Sequence, residues 1–209
     1  MPGPTVHDPA PDVSLLDSAS KEAVLSSYWR REPAVVVFLR YFGCPFCQSQ
    51  VVQLREDRQR FNDLGAGIVL IGQGTPSDAA EFTERMRQPF ECLVDTDRSA
   101  YRAYGLVRAT ATQVFGPQVA LPFLKANLRR ETVQRGLHGG SFMQMPGTFV
   151  IDTDGVVQMA HRNRHVADTP ASDRILDVLS ALRARRPSAE AGAPPLRPRS
   201  SPRTPWSNG

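Results

Sequence analysis

Residues 34–47 read AVVVFLRYFGCPFC, and the fold turns on how this stretch is interpreted. Ala34 to Arg40 is a nearly continuous β-branched run, the pattern of a strand buried on both faces. It passes through Tyr41, Phe42 and Gly43 into a helix predicted from Pro45 to Leu64, which Gly65 and Gly67 stop. Pro45 suits the first helical position, so Cys44 becomes the N-cap and Cys47 the third helical residue. Both sulfurs then lie in the first turn, where free backbone N–H groups and the helix dipole favour an anion. That setting lowers a thiol's pKa, and the thiolate is the reactive form. Two intervening residues also let the sulfurs meet as a disulfide. The spacing therefore reads as a redox motif, with half of a zinc site or two inert thiols as the plainer alternatives. Zinc needs a second pair of ligands, and Cys92, His138, His161 and His165 lie in unrelated segments, so no metal is expected.

Outward from this turn, strands and helices alternate. Gly67 to Gly72 is a second buried strand. Thr75-Pro76-Ser77-Asp78 reads as a capping box opening a helix that carries a Glu81/Arg85 pair. Cys92 to Asp95 is a short strand, and Arg98 to Tyr104 a helical turn ended by Gly105. Residues 106–145 interrupt the rhythm and read as an insertion over one end of the sheet. Thr148 to Ile151 and Val156 to Ala160 form a hairpin around Asp154-Gly155. Pro170 to Arg185 is an amphipathic helix capped by Thr169, with Ile175, Val178, Leu179 and Leu182 along one stripe. This order is an α/β layer fold. Pro146, just ahead of a strand, falls opposite the Cys44–Cys47 turn. It is a candidate for a cis peptide that would present Met145 backbone groups to a substrate; the alternative is a trans proline starting the strand.

The chain has 209 residues, 41% of them hydrophobic and 22% charged, which suits one globular domain and excludes collagen, coiled coil or wholesale disorder. No apolar run can span a bilayer, no signal peptide is visible, and three cysteines do not make a disulfide scaffold. A cytoplasmic protein with no membrane partner is expected. Residues 1–12 read as a flexible N-terminus, 13–185 as the domain, and 186–209 as a disordered Pro/Arg-rich tail. The net charge of +4 belongs to the insertion and the tail, around a slightly acidic body. A nucleic-acid role would have to reside there, and stacking residues such as Phe115 and Phe123 are too few to support one.

An ordered set of motifs carries a family resemblance. These are Phe38 to Cys47, Ile71-Gly72-Gln73, Tyr101-Arg102-Ala103-Tyr104-Gly105, Pro146 to Asp152, and His161-Arg162-Asn163-Arg164. Over about residues 10–184 the chain resembles the AhpC/TSA branch of the thioredoxin superfamily, within it the peroxiredoxin-like 2 group. The resemblance implies a thioredoxin-like three-layer α/β fold with a central mixed sheet, a peroxiredoxin-type N-terminal extension and the insertion at about 106–145. It implies a thiol oxidoreductase that reduces hydroperoxides through a dithiol/disulfide cycle, takes electrons from an external thioredoxin-type reductant, and needs no cofactor. Peroxiredoxins carry Pro-x-x-x-Thr/Ser-x-x-Cys; here Arg40 stands at the proline and Cys44 at the threonine. In that register Cys47 forms the sulfenate and Cys44 resolves it, whereas thioredoxin logic makes the N-terminal Cys44 the attacking thiol. The first assignment is the expectation adopted.

Arg40, Gln73, Met145 and Pro146 are the candidate substrate-binding residues. Arg40 would hold the thiolate or polarise a peroxide oxygen, with a surface ion pair as the alternative, and Gln73 would hydrogen-bond a substrate or stabilise a loop. Arg162 and Arg164 lie near a peroxiredoxin arginine position but read as solvent-exposed, and Cys92 reads as a buried bystander. The other activities considered are protein disulfide reduction, reduction of a lipid endoperoxide, and a non-catalytic binding module built on the basic insertion and tail.

Overall fold

The Ala34–Phe38 run forms strand β3, and its alternation decides the layers. Val35 and Val37 face one apolar cluster, while Ala34, Val36 and Phe38 face a second on the opposite side of the sheet. All five residues are buried, as a strand covered on both faces requires. The computed structural model describes residues 2–119 and 140–185.

Seven strands are named: β1 (Ser14–Asp17), β2 (Glu22–Val24), β3, β4 (Gly67–Gly72), β5 (Glu91–Val94), β6 (Gly147–Ile151) and β7 (Val157–Arg162). They form one mixed sheet in the order β2-β1-β5-β4-β3-β6-β7. β3, β4 and β5 run parallel; β6, β7, β1 and β2 are joined by antiparallel pairings. One face is covered by α1 (Pro45–Glu56), α2 (Arg58–Asp63), α3 (Pro76–Met86) and the C-terminal α6 (Ser172–Arg185), through residues such as Val51, Phe61, Phe82 and Ile175. The other face is covered by α4 (Ser99–Ala103), Trp29 and Tyr104. The short α5 (Ala111–Phe115) lies in the insertion. This is the three-layer α/β arrangement expected from the sequence.

The capping box at Thr75 forms as read, with Thr75 Oγ1 accepting from Asp78 N at 3.2 Å and Thr75 N donating to the Asp78 carboxylate at 2.7 Å. Three expectations change. The single helix over Pro45–Leu64 is two helices, because Asp57 leaves helical backbone (ψ 5°) and directs its carboxylate to Arg60 at 3.1 Å. The last helix starts at Ser172, so Thr169 does not cap it; Pro170 is buried and restricts Thr169 to extended backbone. The N-terminal residues 2–12, read as flexible, are docked. His7 N donates to Val157 O, Val157 N to Asp8 O and Ala10 N to Gly155 O, so this segment covers the outer edge of β7. The hairpin β1–β2 had no signal in the sequence: its strands are short, and Asp17 closes the turn by accepting from Ala19 N and Lys21 N, each at 2.8 Å. Residues 120–139 of the basic insertion and the whole of the tail from 186 lie outside the described residues.

Candidate active site

β3 ends at Phe38, and from there the chain leaves the sheet with its carbonyls needing new donors. Leu39 N still donates to Ile71 O at 2.8 Å. Leu39 O accepts from the Tyr101 hydroxyl at 2.5 Å, which also reaches Ile71 O at 3.1 Å. Arg40 O accepts from Gln73 Nε2 at 2.5 Å. Cys44 N then donates to Tyr41 O at 3.1 Å, and Phe42 O accepts from Gln48 Nε2 at 2.9 Å, closing the turn that delivers the chain into α1. Gln50 Nε2 donates to Thr148 Oγ1 at 3.0 Å and ties α1 to β6. Of the side-chain donors, Gln73 is a candidate site residue and Tyr101 belongs to one of the sequence motifs, while Gln48 and Gln50 carry no signal in the sequence. Side-chain pairs this far apart in the chain leave no spacing signal.

At this turn Cys44 is the N-cap of α1, Pro45 is its first residue and Cys47 its third. Both sulfurs are buried, Cys44 fully and Cys47 to within 1%. Arg40 N donates to Cys47 Sγ at 3.2 Å. The two thiols titrate as a pair. Burial opposes ionisation of Cys44, but the Cys47 thiol and backbone N–H, the Arg40 charge and the Phe46 N–H outweigh it and lower its pKa from 9.0 to about 7. Burial raises Cys47 well above its usual value, reinforced by the hydrogen bond it gives to Cys44 and by the Cys44 charge. These shifts run in opposite directions and favour the thiolate at Cys44 and the proton at Cys47. This distribution runs against the expectation that Cys47 is the attacking thiol.

Arg40 is 5% exposed, so the surface ion-pair alternative is overturned: its guanidinium lies 5.4 Å over the Tyr41 ring, and its Nε donates to Phe142 O. Gln73 is buried and bonded to Arg40 O and to Ser141 N and O. Gly147 pairs with Phe38 at the end of the β3–β6 register, directly after Pro146, and Met145 belongs to the apolar cluster that holds both cysteines. The Met145–Pro146 peptide is trans, which corrects the cis candidate. Its neighbours are already paired: Met145 N donates to Val107 O at 3.1 Å, and Pro146 O accepts from Asn163 N at 3.3 Å.

The remaining candidates stand apart from the pair. Cys92 is buried under α3, and burial pushes its thiol up to about 12. Arg162 donates to Tyr104 O at 2.9 Å and Pro4 O at 2.7 Å, stapling the N-terminal segment instead of lying free in solvent. Arg164 is exposed and binds Asp168 at 2.8 Å. Among the described residues no group of three His, Cys, Asp or Glu side chains is placed to hold a metal ion, and no helix is long and apolar enough to cross a membrane.

A sequence model of the AhpC/TSA family matches residues 6–160. The chain is 27% identical over 192 residues to a thioredoxin-like protein AAED1, chloroplastic, of Arabidopsis thaliana, covering 86% of this chain and 75% of that one. It is 24% identical over 178 residues to Peroxiredoxin-like 2C of Homo sapiens, covering 80% and 77%. In the solved structure of peroxidoxin BcpB from Mycobacterium tuberculosis the same fold recurs, with a TM-score of 0.62, 22% identity and coverage of 87% and 98%.

Proposed function

Because the chain belongs to the AhpC/TSA family, we propose that it is a peroxiredoxin-like thiol oxidoreductase that reduces hydroperoxides through the Cys44–Cys47 pair. The observation that carries this reading is the buried Cys44–Cys47 pair in the first turn of α1, with the Arg40 N–H donating to Cys47 Sγ. The relatives named peroxiredoxin-like support the same chemistry.

The Cys44 thiolate attacks the terminal oxygen of a hydroperoxide. An S–O bond forms, the O–O bond breaks, and the departing alkoxide takes a proton to leave as an alcohol, or as water from hydrogen peroxide. Cys47 then attacks the Cys44 sulfenic acid, forming the disulfide and releasing water. An external dithiol of the thioredoxin type returns the pair to the reduced state by thiol–disulfide exchange and becomes a disulfide itself. Both sulfurs are buried, so the turn must yield locally for either partner to reach them.

The test is mass spectrometry of Cys44→Ser and Cys47→Ser after one equivalent of hydrogen peroxide. Cys47→Ser is expected to form a sulfenic acid at Cys44, and Cys44→Ser to stay reduced. The reverse pattern would restore Cys47 as the attacking thiol. Absence of sulfenic acid in both variants and of the disulfide in the wild type would sink the peroxidase reading. Disulfide reduction is the second reading, favoured by the same polarity, an acidic N-terminal thiol beside a protonated partner. It predicts reduction of a protein disulfide without peroxide consumption.

A further inference from the structure

Gln73 directly follows β4, and its amide is already engaged on both sides. Nε2 donates to Arg40 O at 2.5 Å and to Ser141 O at 3.3 Å, while Oε1 accepts from Ser141 N at 3.2 Å. The next residue, Phe142, accepts from Arg40 Nε. These contacts close a ring that runs from Arg40 O through Gln73 to Ser141, on to Phe142 O, and back to the Arg40 guanidinium. Gly140 completes the joint from outside: it lies at φ +92°, and a Cβ there would fall 2.3 Å from the Gln73 Cβ. The ring is 102 residues wide in sequence, from Arg40 to Phe142, and joins the end of the insertion to the loop that carries the cysteines.

We propose that Gln73 is a positioning residue for the thiol pair: it locks Arg40 and residues 140–142 into one unit and so holds the Arg40 guanidinium, through Phe142 O, at the turn that carries Cys44 and Cys47. An arginine side chain has several free rotors, and its charge acts on a neighbour only while its direction is held. Arg40 is held at its N–H by Cys47, at its carbonyl by Gln73, and at its side chain by Phe142, whose place depends on the Gln73–Ser141 bonds. Among the described residues, the other ionisable groups that act on the pair are Tyr41 and Tyr101, both held neutral by burial. Arg40 is the cation among them, and the Arg40 charge favours the Cys44 thiolate. This role replaces the substrate hydrogen bond expected of Gln73. It rests on the proposed thiol chemistry only in taking the Cys44 thiolate as the reactive form.

Thiolate absorbance of the reduced full chain against pH tests it, in the wild type, Gln73→Ala, Gly140→Ala, Arg40→Met and the Arg40→Met/Gln73→Ala double variant. Gln73→Ala is expected to raise the first midpoint by about half a pH unit or more, which below that midpoint is roughly a threefold loss in alkylation rate. Gly140→Ala, which disturbs the same joint without touching a functional group, moves it the same way and serves if Gln73→Ala fails to fold. On the Arg40→Met background Gln73→Ala adds nothing. A folded Gln73→Ala chain that titrates with the wild type would overturn the proposal, as would an equal shift in the absence of the Arg40 guanidinium. Peroxide oxidation of the wild type is read separately. If it fails while the Gln73→Ala shift is present, the peroxidase reading falls and the positioning role stands.

Discussion

The backbone N–H of Arg40 donates to the sulfur of Cys47 at 3.2 Å, so the strand that leads into the active turn also engages the last cysteine of that turn. The surroundings of the pair favour charge on Cys44 and the proton on Cys47, between the end of β3 and the first turn of α1. The chemistry therefore depends on the registry between β3 and α1 as much as on the identity of the cysteines.

The first prediction concerns pH. The folded value for Cys44 lies near 7 against an ordinary 9.0, a depressed value, so its stabilising contribution is complete above pH 9 and is lost as pH falls through about 7. Alkylation of the reduced chain should rise with a midpoint near pH 7 and stop at one label per chain, on Cys44. Peptide mapping that finds the first label on Cys47 would refute this proton distribution.

Tyr101→Phe removes one hydroxyl and leaves Leu39 O and Ile71 O, both in the core, without that donor. The ring contact with Phe38 at 5.1 Å is retained, so the loss is polar. A cost of about 1–3 kcal/mol is expected in denaturant unfolding. A change below about 0.5 kcal/mol would mean that the two carbonyls find another donor.

Arg162→Met should free the N-terminal segment. It deletes hydrogen bonds to Tyr104 O and Pro4 O and the charge 5.2 Å above the Phe149 ring, while the aliphatic stem is kept. Expected are a loss of about 1–3 kcal/mol and new protease cleavage within residues 2–12, with the thiol titration unmoved. Unchanged protection of the N-terminus would show that the edge pairing with β7 suffices.

Asp168 accepts from Arg164 N at 2.9 Å and from Arg164 Nε at 2.8 Å. Burial opposes its charge, but these bonds, with His161 and the Arg164 charge, prevail and lower it from 3.8 to about 2. A depressed carboxylate stabilises the fold above pH 3.8, and that contribution is lost as pH falls toward 2. Asp168→Asn should lower the Tm at pH 7 and show a smaller gap to the wild type near pH 2. An equal gap at both pH values would assign the effect to packing.

The layered architecture was legible because its elements are dictated locally. An unbroken run of buried β-branched residues at Val35–Val37, a proline behind a cysteine N-cap, and Thr75 facing Asp78 each constrain only a few consecutive residues. The hairpin β1–β2 escaped because strands of three and four residues owe their form to β5, which lies far along the chain. The docking of residues 2–12 escaped for a similar reason: a proline-rich segment reads as free until an unpaired strand edge is there to receive it.

Within the site, local sequence is enough to put two cysteines at the mouth of a helix behind a buried strand, since N-cap position and spacing are properties of adjacent residues. It took the packed fold to show that Arg40 is buried with its N–H on Cys47, that Gln73 is already occupied, and that the surroundings favour charge on Cys44. Those outcomes depend on Arg40, Gln73 and Ser141 meeting across gaps of 33 and 68 residues. Proton placement in a buried pair follows from the number and direction of the donors around each sulfur, and the packed fold is what fixes both.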